Sequence, residues 1–268
     1  MTENLVTIII PTYNRAQYIQ RAIDSCLKQT YRNIEIIIID DHSGDNTEKL
    51  IKNYKDKKIV YHRNEENRGA PFCRNKGIQH AMGEYINFLD DDDILYTEKI
   101  ELQVEKFKTS KVKNLGVVTA HVKYSREDIW KIKKNNKQGN IYNKLLNLYC
   151  IFGTESMLIK KEILDKINGF DVNLTANQEY DLSIRLAKET SFDYVDKVLS
   201  EKFNSNNQIS FDFDKKLAAT KYFYRKYYME FRNLGILYFL FNWARFKYLT
   251  IKYYIGKHCS MKVYKWLK

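Results

Sequence analysis

The stretch GEYINFLDDDDIL, Gly83–Leu95, runs an apolar segment into four consecutive carboxylates, Asp90, Asp91, Asp92 and Asp93. Its first half, EYINFL, has the length and composition of a buried strand, so the acids fall at a strand's carboxyl end. Working outward, the same arrangement recurs. Leu5–Ile10 reads as a buried strand ended by Pro11, with Thr12, Tyr13 and Asn14 after it. IEIIIID, Ile34–Asp40, is a second strand, followed by Asp41 and the loop DHSGDNT; KIVYH, Lys58–His62, is a third. Helices separate them. Ile19, Ala22, Ile23, Cys26 and Leu27 recur at helical spacing, Asp45 or Asn46 suits the N-cap of a helix through Tyr54, and another helix starts near Ala70, with Pro71 in its first turn and Gly83 past its end. Helix Glu98–Lys108 and strand Gly116–Tyr124 continue the alternation. This order predicts an α/β fold: a Rossmann-like, mostly parallel sheet with helices on both faces. In such sheets ligands bind beyond the carboxyl ends of the strands, where all three polar groups converge.

The remainder is less regular. Arg126–Asn143 is polar and basic and reads as a surface loop; Gly153–Leu164 reads as a strand entering a helix. GFD, Gly169–Asp171, is a turn, Gln178–Glu189 an amphipathic helix, and residues 193–210 irregular or short strand. At 268 residues, with 44% hydrophobic and 29% charged, the chain is globular and contains no internal repeat. Its four cysteines form no C-x-x-C pair, which excludes a readable zinc or disulfide framework and fits a reducing, cytoplasmic setting. The apolar run near the N-terminus is too short for a signal peptide, and no run is long enough to span a bilayer.

A carboxylate cluster at a strand end reads either as a solvated turn capping a helix or as a divalent-cation site. A cation turns the mutual repulsion of neighbouring aspartates into coordination. Side chains alternate along extended backbone, so Asp90 and Asp92 face one way and Asp91 and Asp93 another.

FLDDDD after GEYI resembles the Asp-x-Asp region of family-2 glycosyltransferases with the GT-A fold, and the likeness extends further. VTIIIPTYNR resembles that family's first strand and nucleotide loop, and AIDSCLKQTYRNIEIIIIDDHSGDNT its second block. NRGAPFCRNKGIQHAMGEYINFLDDDD resembles its third, and GFD with QEYDLSIRLA its acceptor turn and base-bearing helix. The blocks follow family order over about residues 5–190. The resemblance implies an inverting, metal-dependent transfer of a sugar from a nucleotide-sugar donor, a UDP-sugar, to a glycan or lipid-linked acceptor in surface polysaccharide, lipopolysaccharide or capsule assembly. Pro11, Thr12, Tyr13 and Asn14 would line the nucleotide pocket, Asp41 would hydrogen-bond the base, and Arg68 or Arg74 would face the nucleotide or its pyrophosphate. Asp90 and Asp91 would sit near the ribose and metal. Asp92, with Asp90, would hold Mn²⁺ or Mg²⁺, and Glu179 would be the general base, where the family usually has Asp. Asp181 is a rival base, otherwise a solvated helix position. Where the family often carries a His before an Ile-Ser pair, FNSNNQIS has Asn or Ser. Two other readings compete: a sugar-1-phosphate nucleotidyltransferase, disfavoured because the first strand's loop lacks glycine, and a non-catalytic glycan- or membrane-surface module.

Charge divides the chain. Residues 215–268 hold ten lysines and three arginines against the single acid Glu230, so they carry the whole net charge of +12, and residues 1–214 sum to zero. They also hold 16 aromatic residues. Together with the resemblance, this implies a GT-A catalytic domain over 1–214, with a nucleotide-binding half to about 110 and an acceptor half over about 111–214, and a basic aromatic helical extension over 215–268. The extension suits an anionic membrane surface, with the protein peripheral on the inner face of the cell membrane. It equally suits packing on the catalytic domain or formation of a homo-oligomer. No nucleic-acid-reading module accompanies the charge, so no nucleic acid partner is expected.

Overall fold

The computed structural model describes residues 4–126, 129–148, 152–203 and 212–258. The first part alternates as expected: β1 (Val6–Thr12), α1 (Ala16–Leu27), β2 (Ile34–Asp40), α2 (Thr47–Asn53), β3 (Ile59–Arg63), α3 (Ala70–His80) and β4 (Tyr85–Phe88). Then come β5 (Ile94–Leu95), α4 (Lys99–Thr109), β6 (Leu115–Arg126), β7 (Ile129–Lys133) and α5 (Tyr142–Leu148). A 3₁₀ turn at Thr154–Ser156 leads into β8 (Met157–Lys160), α6 (Lys161–Lys166), α7 (Gln178–Glu189) and β9 (Ser191–Lys202). Three further helices follow: α8 (Phe213–Lys226), α9 (Tyr228–Asn233) and α10 (Ile236–His258).

The described strands form a sheet in the order β3-β2-β1-β4-β8-β6-β9-β5, with β7 paired to β6. β3, β2, β1 and β4 are parallel, as are β6 and β9; β8 runs antiparallel between the two blocks. The isoleucine runs explain why both faces are covered. Along a strand, side chains alternate between faces. Ile8 and Ile10 of β1, with Ile36 and Ile38 of β2, pack in one core with α1 and α4; Ile9, Ile37 and Ile39 pack in the other with α3 and α7. Successive strands lead outward from β1 in opposite directions, to β2 and to β4, leaving a crevice at their carboxyl ends.

Four local readings change. β1 continues through Pro11 to Thr12, with Pro11 opposite Ile39. Proline has no N–H to give, but the pairing of β1 with β4 has already ended at Ile9 and Phe88, so little is lost. Part of the expected surface loop is β7, a short strand pairing with Val122–Arg126 of β6; its mixed lysines and exposed apolar residues mask the alternation. Residues 191–202 are one long strand, where irregular chain or a short strand is expected. Register shifts around His121 of β6 change which positions face inward and so break the period of two. Gly83 does lie past the end of α3, but close approach explains it better than helix capping. A Cβ there would sit 2.6 Å from the Thr7 backbone nitrogen and 2.9 Å from the Leu5 carbonyl oxygen. Cys26 and Cys73 are buried free thiols. Cys150, Cys259 and the segment 204–210, which contains most of FNSNNQIS, lie outside the described residues.

Candidate active site

The loops that leave β1, β2, β3 and β4 meet at the rim. Asn14, at φ 52, donates its backbone N–H to Ser43 Oγ (2.9 Å) and accepts the Gly44 N–H on Oδ1 (2.7 Å), locking the first loop to the second. Tyr13 stands 47% exposed beside it, while Thr12 is buried. Asp40, the last residue of β2, accepts from the Ser43 N–H and the Tyr61 hydroxyl.

Asp41, expected to bind the base, has a carboxylate that already holds loop donors. Oδ1 accepts from Asn64 Nδ2 (2.8 Å) and the Arg68 N–H (2.9 Å), and Oδ2 accepts from the Gly69 N–H (2.7 Å). These bonds make Asp41 the organiser of the 64–69 loop, whose Gly69 has φ 85 and leads into α3. The two candidate arginines also separate. Arg68 lies over the exterior of α3, its guanidinium 3.8 Å from the Phe72 ring centroid. Arg74 is buried and points into the rim.

Arg74 is the hub of the carboxylate cluster. Nη2 lies 2.7 Å from Asp90 Oδ1, and Nη1 donates to Gln178 Oε1 at 3.0 Å. The other oxygen of Asp90 is 3.0 Å from Lys202 Nζ, at the end of β9. Lys202 is also 3.3 Å from Asp93 and 3.9 Å from Glu155. Burial alone would raise the Asp90 pKa, but the two cations overcome it and hold this carboxylate well below the usual range. Asp93 is fully buried. Its burial, with the neighbouring carboxylates, drives its pKa well above the usual value, although Lys202 pulls the other way and the Phe203 N–H donates to it. Asp91 has no such clasp, since Arg15 stays 4.0 Å away, and burial pushes its pKa up to about 7. Asp92 is beside it, and the Asp92 carbonyl accepts from Arg21 of α1.

Glu179 occupies the first turn of α7, half-buried, and its charge is felt by both Arg74 and Lys202. The structure therefore gathers Arg74, Asp90–Asp93, Lys202, Glu155 and Glu179 at one rim, with Thr12 and Tyr13 at its edge. Asp181 does not join them. It is fully buried and bound by Arg185 (2.8 Å), Lys226 (2.7 Å) and the Tyr227 hydroxyl (2.8 Å), so it is neither a rival base nor a solvated position.

Sequence reasoning passed over Lys202 and Glu155. A readable β9 would have pointed to Lys202, because a strand parallel to β6 ends at the same rim. Among the described residues, no group of three or more His, Cys, Asp or Glu side chains forms a metal cage. The adjacent, partly desolvated Asp91 and Asp92 carboxylates do fit a hard divalent cation that draws its other ligands from water and a diphosphate. Asp90 fits that role less well than expected, because both its oxygens are taken by Arg74 and Lys202.

A family model described as glycosyl transferase family 2 matches residues 7–167. An uncharacterized glycosyltransferase of Rickettsia typhi is 35% identical over 73% of this chain and 62% of its own length. The chain thus spans less than two thirds of the first curated relatives that it matches. A UDP-Glc:alpha-D-GlcNAc-diphosphoundecaprenol beta-1,3-glucosyltransferase of Escherichia coli, WfgD, is 31% identical over 73% of this chain and 74% of its own. Among solved structures, Staphylococcus aureus TarS 1–349 in complex with UDP-GlcNAc superposes with a TM-score of 0.66 at 16% identity, covering 94% of this chain and 72% of that one. The mannosyltransferase PcManGT of Pyrobaculum calidifontis, in complex with GDP-Man and Mn²⁺, gives 0.59 at 19% identity, over 85% and 64%. These likenesses show the GT-A fold.

Proposed function

The chain belongs to glycosyl transferase family 2, and from that premise we propose that it moves a sugar from a UDP-sugar to a hydroxyl of a glycan or lipid-linked glycan, with inversion, in the assembly of a surface polysaccharide. The observation that carries this reading is the meeting of Asp90–Asp93, Arg74 and Glu179 at the crevice between β1 and β4. A departing diphosphate needs cations, and an attacking hydroxyl needs a base; the rim supplies both.

Thr12 and Tyr13 form the nucleotide's side of the crevice, and Asn14 and Asp41 hold the shapes of the two loops that border it. Mn²⁺ or Mg²⁺, held by Asp92 with Asp91 beside it, would supply charge neutralisation for the diphosphate. Arg74 faces the same place, oriented by Asp90 and Gln178, and stabilises the negative charge that builds as the C1–O bond breaks. The acceptor hydroxyl attacks C1 from the opposite face while the Glu179 carboxylate takes its proton. Single displacement leaves no covalent enzyme intermediate and inverts the anomeric centre. Lys202 is a positioning residue: by pairing with Asp90 and Asp93 it keeps two buried acids in place under the site.

The test is nucleotide release and thermal shift with a panel of UDP-, GDP- and dTDP-sugars, with Mn²⁺ or with chelator. One UDP-sugar should raise the melting temperature in Mn²⁺ by mass action. Glu179→Gln should keep that shift while release to acceptor falls by about 10²–10⁴-fold. Full-rate transfer by Glu179→Gln would remove Glu179 as the base.

A further inference from the structure

α10 turns two different faces to its surroundings. Phe239, Asn242, Phe246 and Gly256 lie toward α8: Asn242 is buried, Phe246 packs 4.8 Å from the Tyr224 ring, and Gly256 abuts Phe213. On the other side, Leu237, Leu240, Phe241, Tyr248 and Ile251 follow helical spacing and form one stripe. They are exposed; Leu237 is 77%, Phe241 60% and Ile251 58% accessible. Cations border this stripe on both sides. Lys247 lies 5.3 Å from the Trp243 ring centroid on one margin, and Lys252 lies 5.6 Å from that of Tyr248 on the other. Trp243 also lines a cavity of ≈ 270 Å³ with Lys221 and Arg225 of α8, which brings two more cations to its margin.

We propose that α10 lies in the surface of an anionic lipid bilayer, with this stripe in the acyl boundary and the bordering lysines at the phosphate level. The choice of occupant follows from charge: the segment from Lys215 onward carries thirteen basic residues and one acid. A second copy would have to bring the same positive field onto this face. Aromatic rings beside snorkelling lysines are the arrangement that an interface between hydrocarbon and headgroups favours. At 23 residues α10 extends about 35 Å, but Arg245, Lys247 and Lys252 interrupt it, and no described helix is apolar enough to cross a membrane. It therefore lies along the surface and does not span. The other end of the unit reaches the candidate site: Phe223 of α8 stacks 5.0 Å from Tyr180, the neighbour of Glu179. A bilayer held by α10 would thus lie two helices from the acceptor side. The proposal goes beyond the transferase reading and does not rest on it.

Flotation of the full chain on vesicles tests it, with phosphatidylcholine alone set against phosphatidylcholine containing phosphatidylglycerol. The chain should float with the anionic vesicles only and detach as salt rises. Lys247→Gln with Lys252→Gln should lower partitioning roughly 25-fold. Leu237→Glu with Phe241→Glu should abolish it, with the melting temperature unchanged because both side chains are exposed. Equal flotation of these variants, or no flotation of the parent chain, overturns the proposal. So does a dimer by light scattering that the same stripe substitutions dissolve, since that result assigns the stripe to a second copy. Nucleotide release is read separately, so failure here leaves the transferase reading standing.

Discussion

Lys99 shows how far a single residue can depart from its ordinary chemistry in this fold. It opens α4, is fully buried, and donates to Gln103 Oε1; Gln103 in turn donates to the carbonyls of Val118 and Ser156. Burial lowers its pKa to about 7, although Glu155 pulls it up. An unfolded lysine titrates near ~10.4. Below pH 7 both states hold the proton, and the folded state bears the full cost of a buried ammonium. Between these two pKa values the folded state binds fewer protons than the unfolded one, so stability rises with pH through that window. In urea titrations over this range, the parent chain should gain about 1.4 kcal/mol per pH unit relative to Lys99→Met. A gap that stays constant with pH would show that Lys99 keeps its proton throughout.

At the scale of elements, the rim depends on how closely α3 and the turn after it lie against β1. Gly77 leaves no room for a Cβ beside Ile9, and Gly83 none beside the Thr7 backbone. At Gly77 the obstacle is the γ-methyl of Ile9, a fully buried β-branched side chain. At Gly83 it is the backbone of a central strand, so Gly83→Ala should cost about 1–3 kcal/mol, read as a lowered denaturation midpoint. A neutral result would mean that the turn relaxes away from β1. The same contrast explains what the sequence could reveal. Runs such as IEIIIID show their burial directly, and the parallel topology then collects Thr12, Asp41 and Asp90 at one rim without any knowledge of side-chain contacts. β9 was illegible because its bulged register hides its period, and Lys202 was hidden with it. The loop contacts of Asp41 were illegible for another reason. A carboxylate that holds three loop donors looks, in sequence, like any other loop aspartate.

Across the whole molecule, the charge boundary and the packing boundary do not coincide. Residues 1–214 are neutral overall and 215–268 strongly basic, which suggests two units. Yet Phe223, Tyr227 and Phe231 lie in the same core as Tyr180, Leu182 and Leu186. Lys226 bridges Asp171 (2.6 Å) and Asp181 (2.7 Å), and the Tyr227 hydroxyl donates to Asp181. The buried Asp181 of α7 therefore relies on Lys226 of α8 and on Tyr227 just after it, and leaving such a charge unpaired is costly. We propose that α8 and α9 fold with the catalytic body and that, among the described helices, α10 is the one that reaches beyond it. Phe223→Ala should then remove about 3–5 kcal/mol from the unfolding of the entire chain. The loss should appear equally in helix content and in near-ultraviolet signals, in one transition. It should also weaken transfer without weakening donor binding, because Tyr180 and Glu179 share the helix that Phe223 supports. If the variant instead melts in two steps, with the upper step at the parent temperature, the basic segment is an independent appendage and its hold on α7 has no energetic consequence.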